Sequence, residues 1–388
     1  MPRLLWLFSA VNLVIGSGAF VLGGILAPLA ADLGVSVPTA GQAMTAYALS
    51  TAVLAPMLLL ATGRWPRKRA LLLALLLFTA GNVLCALANT LLALLVGRVL
   101  MGLGAVFTPV AAGIAVAMVE PAQRGIALAF VFLGISLSYV IGVPLGAWLG
   151  LQYGWHTPIW AVVGLCGLAI AAVAAWVPAT IDAPGAGFAG LGALLARRDV
   201  LGVLMLTLLY FIAIFAVFSY IGPVLQALSP MSGERVSITL ALFGLSGVAG
   251  TLIGGAANDR FGSRRTLAVQ LSVLGLTMAL LPLTAGSWPA LVLVLLAWGT
   301  AGFGMMAPQQ SRLAALAPAQ APVLLSLNAS MLYLGTAGGA IVGGALAAGL
   351  GFAQLSWAGL PFVAAGLALL WLGPTLLASS TPAQERAA

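Results

Sequence analysis

Apolar runs of about twenty residues or more follow one another through this chain, separated by short polar or helix-breaking stretches. Interruptions fall at 32–38, Asn89-Thr90, Glu120-Pro121, Tyr153-Gly154, 229–233, Ser287-Trp288-Pro289 and 317–322. Two short basic loops also break the pattern, Arg64-Trp65-Pro66-Arg67-Lys68-Arg69 and Asp259-Arg260-Phe261-Gly262-Ser263-Arg264-Arg265. The runs lie near 4–30, 39–62, 70–88, 91–118, 124–150, 156–177, 200–228, 236–257, 266–285, 289–316, 322–349 and 354–377. None alternates with a period of two, and about 20 mostly apolar residues cross a bilayer as a helix. Only helices and closed barrels satisfy their backbone in hydrocarbon. The pattern therefore predicts an all-α membrane protein with twelve transmembrane helices.

Composition excludes a soluble domain. Of 388 residues 62% are hydrophobic and 6% charged, whereas soluble domains carry roughly a quarter charged residues. The net charge of +8 would suit nucleic acid in a soluble protein, but it is almost all arginine in short loops. With a cytoplasmic N-terminus, Arg3, Arg64, Arg67, Lys68, Arg69, Arg124, Arg197, Arg198, Arg260, Arg264, Arg265, Arg312 and Arg386 fall inside and Arg235 alone outside. That asymmetry predicts an inner (cytoplasmic) membrane protein with both termini cytoplasmic, lipid as its partner and no nucleic acid. The first run is too long for a cleavable signal core and reads as a retained helix. Cys85 and Cys166 show neither metal-like nor disulfide-like spacing and read as packing residues.

The basic loops are one sign of duplication. A shift of about 196 positions lays Arg64 on Arg260 and Pro28 beside Pro223, and a slightly larger one lays Thr108-Pro109 on Ala307-Pro308. This predicts two pseudo-symmetric six-helix bundles, 1–178 and 199–388, joined by a cytoplasmic linker, 179–198, with an interfacial helix near 188–198. Parallel repeats of this kind are a transporter architecture with the substrate site between the halves. An enzyme would need a nucleophile with its base, paired carboxylates or a metal cluster at one depth, and one histidine with no acidic pair in the spans argues against it.

Several motifs resemble those of the major facilitator superfamily. Gly255 to Arg265 is similar to its cytoplasmic-loop motif, Arg98-Val99-Leu100-Met101-Gly102-Leu103-Gly104 to the helix-4 motif of proton-linked members, and Gly134 with Gly142-Val143-Pro144-Leu145-Gly146 to the helix-5 motif of exporters. Gly41-Gln42, Tyr47-Ala48-Leu49, Ala55-Pro56 and Phe218-Ser219-Tyr220-Ile221-Gly222-Pro223 resemble the twelve-helix drug and sugar efflux branch. The resemblance implies a drug:proton or arabinose-efflux type of exporter and a coupling role for Arg98.

Asp259 can face the N-terminus of span 5 near Pro121 and latch the cytoplasmic side through the helix dipole, or it can share in anchoring topology with Arg260 and Arg264. In the first loop Gly63 stands where the motif carries aspartate and Pro66 where it carries glycine, so Arg64 and Arg67 lack a carboxylate partner and an asymmetric gate is expected. Arg98 lies inside span 4, where a charge needs a cavity or a partner; backbone carbonyls and snorkelling are the structural alternatives. Gly134, Gly142, Gly146 and Gly150 form one stripe on span 5, and Gly335, Gly339 and Gly343 another on span 11. The stripes are expected to meet across the repeat axis and let the halves rock, with Pro144 bending span 5.

Every acidic residue lies at a helix end or in a loop. The mid-membrane carboxylate that a proton antiporter normally uses is thus not predicted, which keeps a gradient-independent facilitator (uniporter) of a small polar solute open. Candidate cavity residues are Asn12, Gln42, Tyr47, Tyr139, Tyr210, Phe215, Trp298, Gln309, Asn328 and Tyr333. Such a wall suits a small neutral or amphipathic compound, though the same residues also mediate helix packing. The expectation is a monomeric exporter that exchanges its substrate for protons, with no metal or cofactor.

Overall fold

The computed structural model describes residues 3–120, 123–179, 181, 194–317 and 320–378. Every regular element among them is helical: α1 (Arg3–Phe20), α2 (Leu22–Asp32), α3 (Val37–Leu49), α4 (Ala55–Ala61), α5 (Arg67–Ala86), α6 (Leu91–Gly104), α7 (Phe107–Ala117), α8 (Arg124–Leu137), α9 (Val143–Tyr153) and α10 (His156–Trp176). The second half continues with α11 (Arg198–Phe218), α12 (Ile221–Leu228), α13 (Gly233–Phe261), α14 (Ser263–Leu280), α15 (Trp288–Gly304), α16 (Met306–Leu316), α17 (Ala321–Gln354) and α18 (Leu360–Ala378). Most of the interfacial helix expected near 188–198 lies outside the described residues.

Among the described residues, eleven candidate spans are long and apolar enough to cross a membrane, one fewer than the pattern predicts. The last runs over 49 residues, Val323–Trp371, and Gly351 interrupts it with φ 71°. Loops at one end of the molecule close on Gly34, Gly154 and Gly286, all at positive φ. Ser36, Thr90 and Ser232 cap α3, α6 and α13 at that same end, each accepting from a backbone N–H three residues on. The opposite end carries both basic loops.

Four spans are broken near their middles: between α1 and α2, α6 and α7, α11 and α12, and α15 and α16. Proline explains the pattern. Pro109, Pro223 and Pro308 lack the N–H that would reach the carbonyls of Ala105, Ser219 and Gly304, and the breaks fall there. In the first span Pro28 cannot bond Gly24, and Ile25 leaves helical geometry at φ −119°, ψ 17°. Two other spans absorb a proline differently. Ser50–Leu54 and Ser138–Gly142 widen to π-helix just before Pro56 and Pro144, and the N–H groups of Ala55 and Val143 reach back five residues to Ser50 and Ser138.

The glycine stripes pack within each half, not across the repeat axis as expected. Gly134, Gly142, Gly146 and Gly150 lie on Ser9, Ser17, Val21 and Ile25 of the first span, a constant offset along two parallel helices. Gly335, Gly339 and Gly343 lie on Leu208, Ile212 and Ala216 of α11 in the same way. A Cβ on any of these glycines would push into a neighbouring helix, several of them into its backbone, so the stripes fix the closest helix pairs of each half.

Contacts between the halves sit at the end opposite the basic loops: α3 against α17, α9 against α13, and α2 against α12. Ser237 Oγ donates to the Pro144 carbonyl across the second of these at 2.8 Å. The Tyr220 ring is wedged against Gly41 of α3, and its hydroxyl donates to Ala340 O at 2.8 Å.

Candidate functional site

An aromatic cluster fills the space where the broken helices meet. Phe20, at the end of α1, stacks on Tyr139 in the π-helical turn (centroids 5.0 Å apart) and lies 6.0 Å from Phe215 of α11. Tyr139 also reaches Phe218 (5.8 Å) and Phe303 of α15 (5.0 Å). Phe243 of α13 then links Phe218 (5.5 Å) to Trp298 (5.3 Å). Rings from both halves therefore form one plug. The Trp298 indole Nε1 is buried in it without an acceptor, which costs free energy unless a bound molecule supplies one.

Arg98 sits beside this plug and is fully buried. Nε donates to Ala43 O (3.1 Å), Nη1 to Gly18 O (2.9 Å) and Nη2 to Ala19 O (2.6 Å). Its guanidinium lies 4.7 Å from the centre of the Tyr47 ring. The break after Phe20 leaves the Gly18 and Ala19 carbonyls without helical partners, and the arginine fork satisfies them. Tyr47 in turn meets Tyr333 of α17 edge-on at 6.4 Å, across the halves.

Below the plug, towards the basic end, each half carries a buried polar node of similar design. Thr108 Oγ1 donates to Asn12 Oδ1 (2.6 Å) and Asn12 Nδ2 to Val131 O (2.9 Å). Thr207 Oγ1 donates to Asn328 Oδ1 (2.6 Å), while Gln309 Nε2 donates to Thr207 Oγ1 (2.9 Å) and to Val203 O. Gln309 Oε1 is buried without a partner. These bonds join three helices per half, so Asn12, Asn328 and Gln309 bind helices together in this structure.

Of the residues singled out from sequence, Tyr139, Phe215 and Trp298 share the plug, and Tyr47 and Tyr333 flank it with Arg98. Tyr210 is buried near the second node, its hydroxyl 3.2 Å from Met306 Sδ. Gln42 is placed differently: it is exposed on a lateral groove between α3 and α17. Phe20, Phe243, Phe303, Thr108 and Thr207 were missed because an apolar ring or a hydroxyl in a span carries no positional signal before the fold is known.

Arg64, Asp259 and Arg260 of the basic end are solvent-side, whereas Arg67 is buried. Asp259 is exposed and accepts from Asn258 Nδ2 at 3.2 Å; the expected contact with the start of span 5 is not among its bonds, and 121–122 lie outside the described residues. Arg260 lies over the Phe261 ring at 5.2 Å, and Arg264 donates to Trp371 O (3.2 Å) and lies over that ring. Arg64 is exposed, whereas Arg67 donates to Gly63 O at 2.9 Å. Asp199, at the basic end too, pairs with Arg197 at 2.6 Å, whereas at the other end Asp32 accepts from Trp155 Nε1 at 2.9 Å.

The family model of the Major Facilitator Superfamily matches residues 8–337 and 231–388. The chain is 29% identical to the Bacillus subtilis MFS-type transporter YbcL, over 98% of this chain and 97% of that one. It is 32% identical to the Escherichia coli inner membrane transport protein YdhP (92% and 94% covered) and 33% identical to a chloramphenicol resistance protein of Streptomyces lividans (76% and 74%). Its fold is similar to a bacterial homologue of the human lysosomal transporter Spinster in an inward-facing, occupied conformation, with a TM-score of 0.82, 17% identity and 98% of both chains covered. The human organic anion transporter MFSD10 follows at a TM-score of 0.70, 18% identity and 95% of this chain. The chain is an all-helical integral membrane transporter that belongs to the Major Facilitator Superfamily.

Proposed function

We propose that this protein exports small neutral or amphipathic compounds of the drug, sugar or nucleoside class across the cytoplasmic membrane by alternating access, in exchange for protons. In this reading twelve helices span the membrane as two six-helix bundles, 1–178 and 199–388, with both termini cytoplasmic. The 49-residue stretch Val323–Trp371 supports twelve. At 1.5 Å per residue it would be about 74 Å long, more than twice a hydrocarbon core of about 30 Å, and Gly351 breaks it.

The observation that carries the reading is that the halves meet at one end, above an aromatic plug at the helix breaks, while the basic loops mark the other end. With the basic end cytoplasmic, this is the arrangement of a carrier closed outward and accessible from inside. The Asp259 latch then belongs to the opposite state, which accounts for its exposure here. A plug of rings with one unpartnered indole N–H suits a lipophilic ligand carrying an acceptor. The names of the Streptomyces and Escherichia relatives point the same way, to efflux and to the inner membrane.

A second reading, a gradient-independent facilitator, is favoured by one observation. Arg98 gives its donors to backbone carbonyls, and the acidic residues Asp32, Asp199 and Asp259 sit at helix ends. Uptake of chloramphenicol, a pentose and a nucleoside into inverted vesicles, with and without an inside-acid gradient, separates the two. Gradient-driven accumulation supports antiport; equilibration that ignores the gradient leaves the facilitator; no uptake of any of the three sinks both substrate assignments.

A further inference from the structure

A cavity of about 570 Å³ lies away from the aromatic plug, on the flank of the molecule between α3 and α17. Its walls belong to three candidate spans and to Tyr220, and the lining side chains of Leu49 and Ile341 are exposed and apolar. With these spans crossing the bilayer, as in the proposed twelve-helix reading, hydrocarbon is the medium it opens to. From Pro38 to Leu49 the groove follows α3 over twelve residues, a rise of about 17 Å, close to half of a hydrocarbon core of about 30 Å. It is one leaflet deep.

One wall is chemically uneven. Thr39, Gln42 and Thr45 recur every three residues along α3 and line the groove, facing Ile341 and Ala345 of α17. Thr39 is already bonded to Ser36, but Gln42 is exposed and Thr45 Oγ1 is buried without a partner. Amide and hydroxyl donors beside hydrocarbon are costly until an acceptor meets them. None of the lining residues is charged, so the groove offers nothing to a phosphate or an ammonium. An acyl chain that ends in an ester carbonyl matches it: an apolar body with an acceptor and no donor, in the medium the groove faces.

The groove also straddles the halves. Leu95 and α3 come from the first, whereas Tyr220 and α17 come from the second. It exists only while this end is closed, and a ligand that binds one conformation shifts the population towards it.

We propose that this groove binds one acyl chain of an ester-linked glycerolipid, with the ester carbonyl on Gln42, and that the bound lipid holds this end of the transporter shut. The test uses the purified full chain in nanodiscs of phosphatidylcholine, phosphatidylglycerol or the diether analogue of phosphatidylcholine. Lipids retained after detergent extraction are counted by native mass spectrometry, and opening of the basic end is read from spin labels at Trp65→Cys and Phe261→Cys. One lost hydrogen bond of about 1 kcal/mol corresponds to about fivefold in affinity, so the diester should be retained about fivefold better than the diether. The two diester headgroups should be retained equally. Gln42→Leu should abolish the ester preference, and Ile341→Trp should fill the groove, displace the lipid and hold the basic end open in every lipid. Equal retention of diester and diether by the wild type would overturn the proposal. So would an ester preference that survives Gln42→Leu, a preference for phosphatidylglycerol, or a spin-label distance indifferent to the lipid.

Discussion

Arg98 Nη2 lies 2.6 Å from the carbonyl oxygen of Ala19, at the point where the first span breaks. The arginine thereby replaces helical hydrogen bonds that the break removes, and it holds Phe20 one residue further on, against Tyr139 and Phe215. A charge in mid-span is a scaffold for the plug here, whatever it adds to coupling.

Arg98→Met should therefore unfold more easily. It strips donors from three buried carbonyls, and leaving a buried acceptor unsatisfied costs about 1–3 kcal/mol. Arg98→Lys keeps the charge but not the fork, and should recover less than half of the loss. Thermal unfolding in detergent reads both. A melting temperature of Arg98→Met within a degree of wild type would refute the scaffold role.

The two glycine stripes make a sharper comparison. Gly134 packs on the Ser9 backbone, so Gly134→Ala has no room and should destabilise by about 1–3 kcal/mol. Gly113, inside α7, has open space where a Cβ would stand, with no other atom within 4 Å. Gly113→Ala should instead be neutral or stabilising by up to about 1 kcal/mol, from helix propensity alone. Equal effects of the two substitutions would show that the stripe does not set the α1–α8 distance.

These stripes also show how far sequence reaches. Their spacing identified one face of span 5 and one of span 11, because small residues at four-residue steps must lie on one side of a helix. Which helix they meet was not legible, since nothing in Gly142 or Gly146 specifies Ser17 and Val21 as partners. Spans and loops were legible because hydrocarbon demands length and apolarity. The breaks followed from Pro109, Pro223 and Pro308 only once their positions in the helices were known. In the candidate site, Tyr139, Phe215 and Trp298 stood out by type. Phe20 did not, because its place depends on a bend that Arg98 stabilises from another span. Gln42 misled for the same reason: its polarity marked it, but its direction is set by helix rotation.

Trp298 offers a test that separates stability from binding. Its indole N–H is buried without an acceptor, so Trp298→Phe removes an unsatisfied donor and should leave the protein as stable or up to about 1–2 kcal/mol more stable. If substrate supplies the acceptor, transport should fall about tenfold or more through a higher apparent KM, as one hydrogen bond in a dry site is lost. Unfolding curves and concentration-dependent uptake check the two halves. Unchanged uptake would remove Trp298 from the binding site.

Gly41 tests the closure itself. Its missing side chain leaves room for the Tyr220 ring, atoms of which lie 2.5 and 2.6 Å from where a Cβ would stand. Tyr220 is buried and held by Ala340 through its hydroxyl, and Gly344 of α17 abuts the same hydroxyl. The ring therefore cannot retreat without parting α3 from α17. Gly41→Val should wedge this end open and shift the population away from the present state, and a closing penalty of about 1.4 kcal/mol corresponds to a tenfold change. Spin labels across the basic end should report the shift as a shortened distance, with turnover slowed in proportion. Tyr220→Ala in the same chain should restore the wild-type distribution, since it removes the obstacle and keeps the valine. If Gly41→Val leaves the distances unchanged, or if Tyr220→Ala fails to reverse it, the contact between α3 and Tyr220 is not what closes this end.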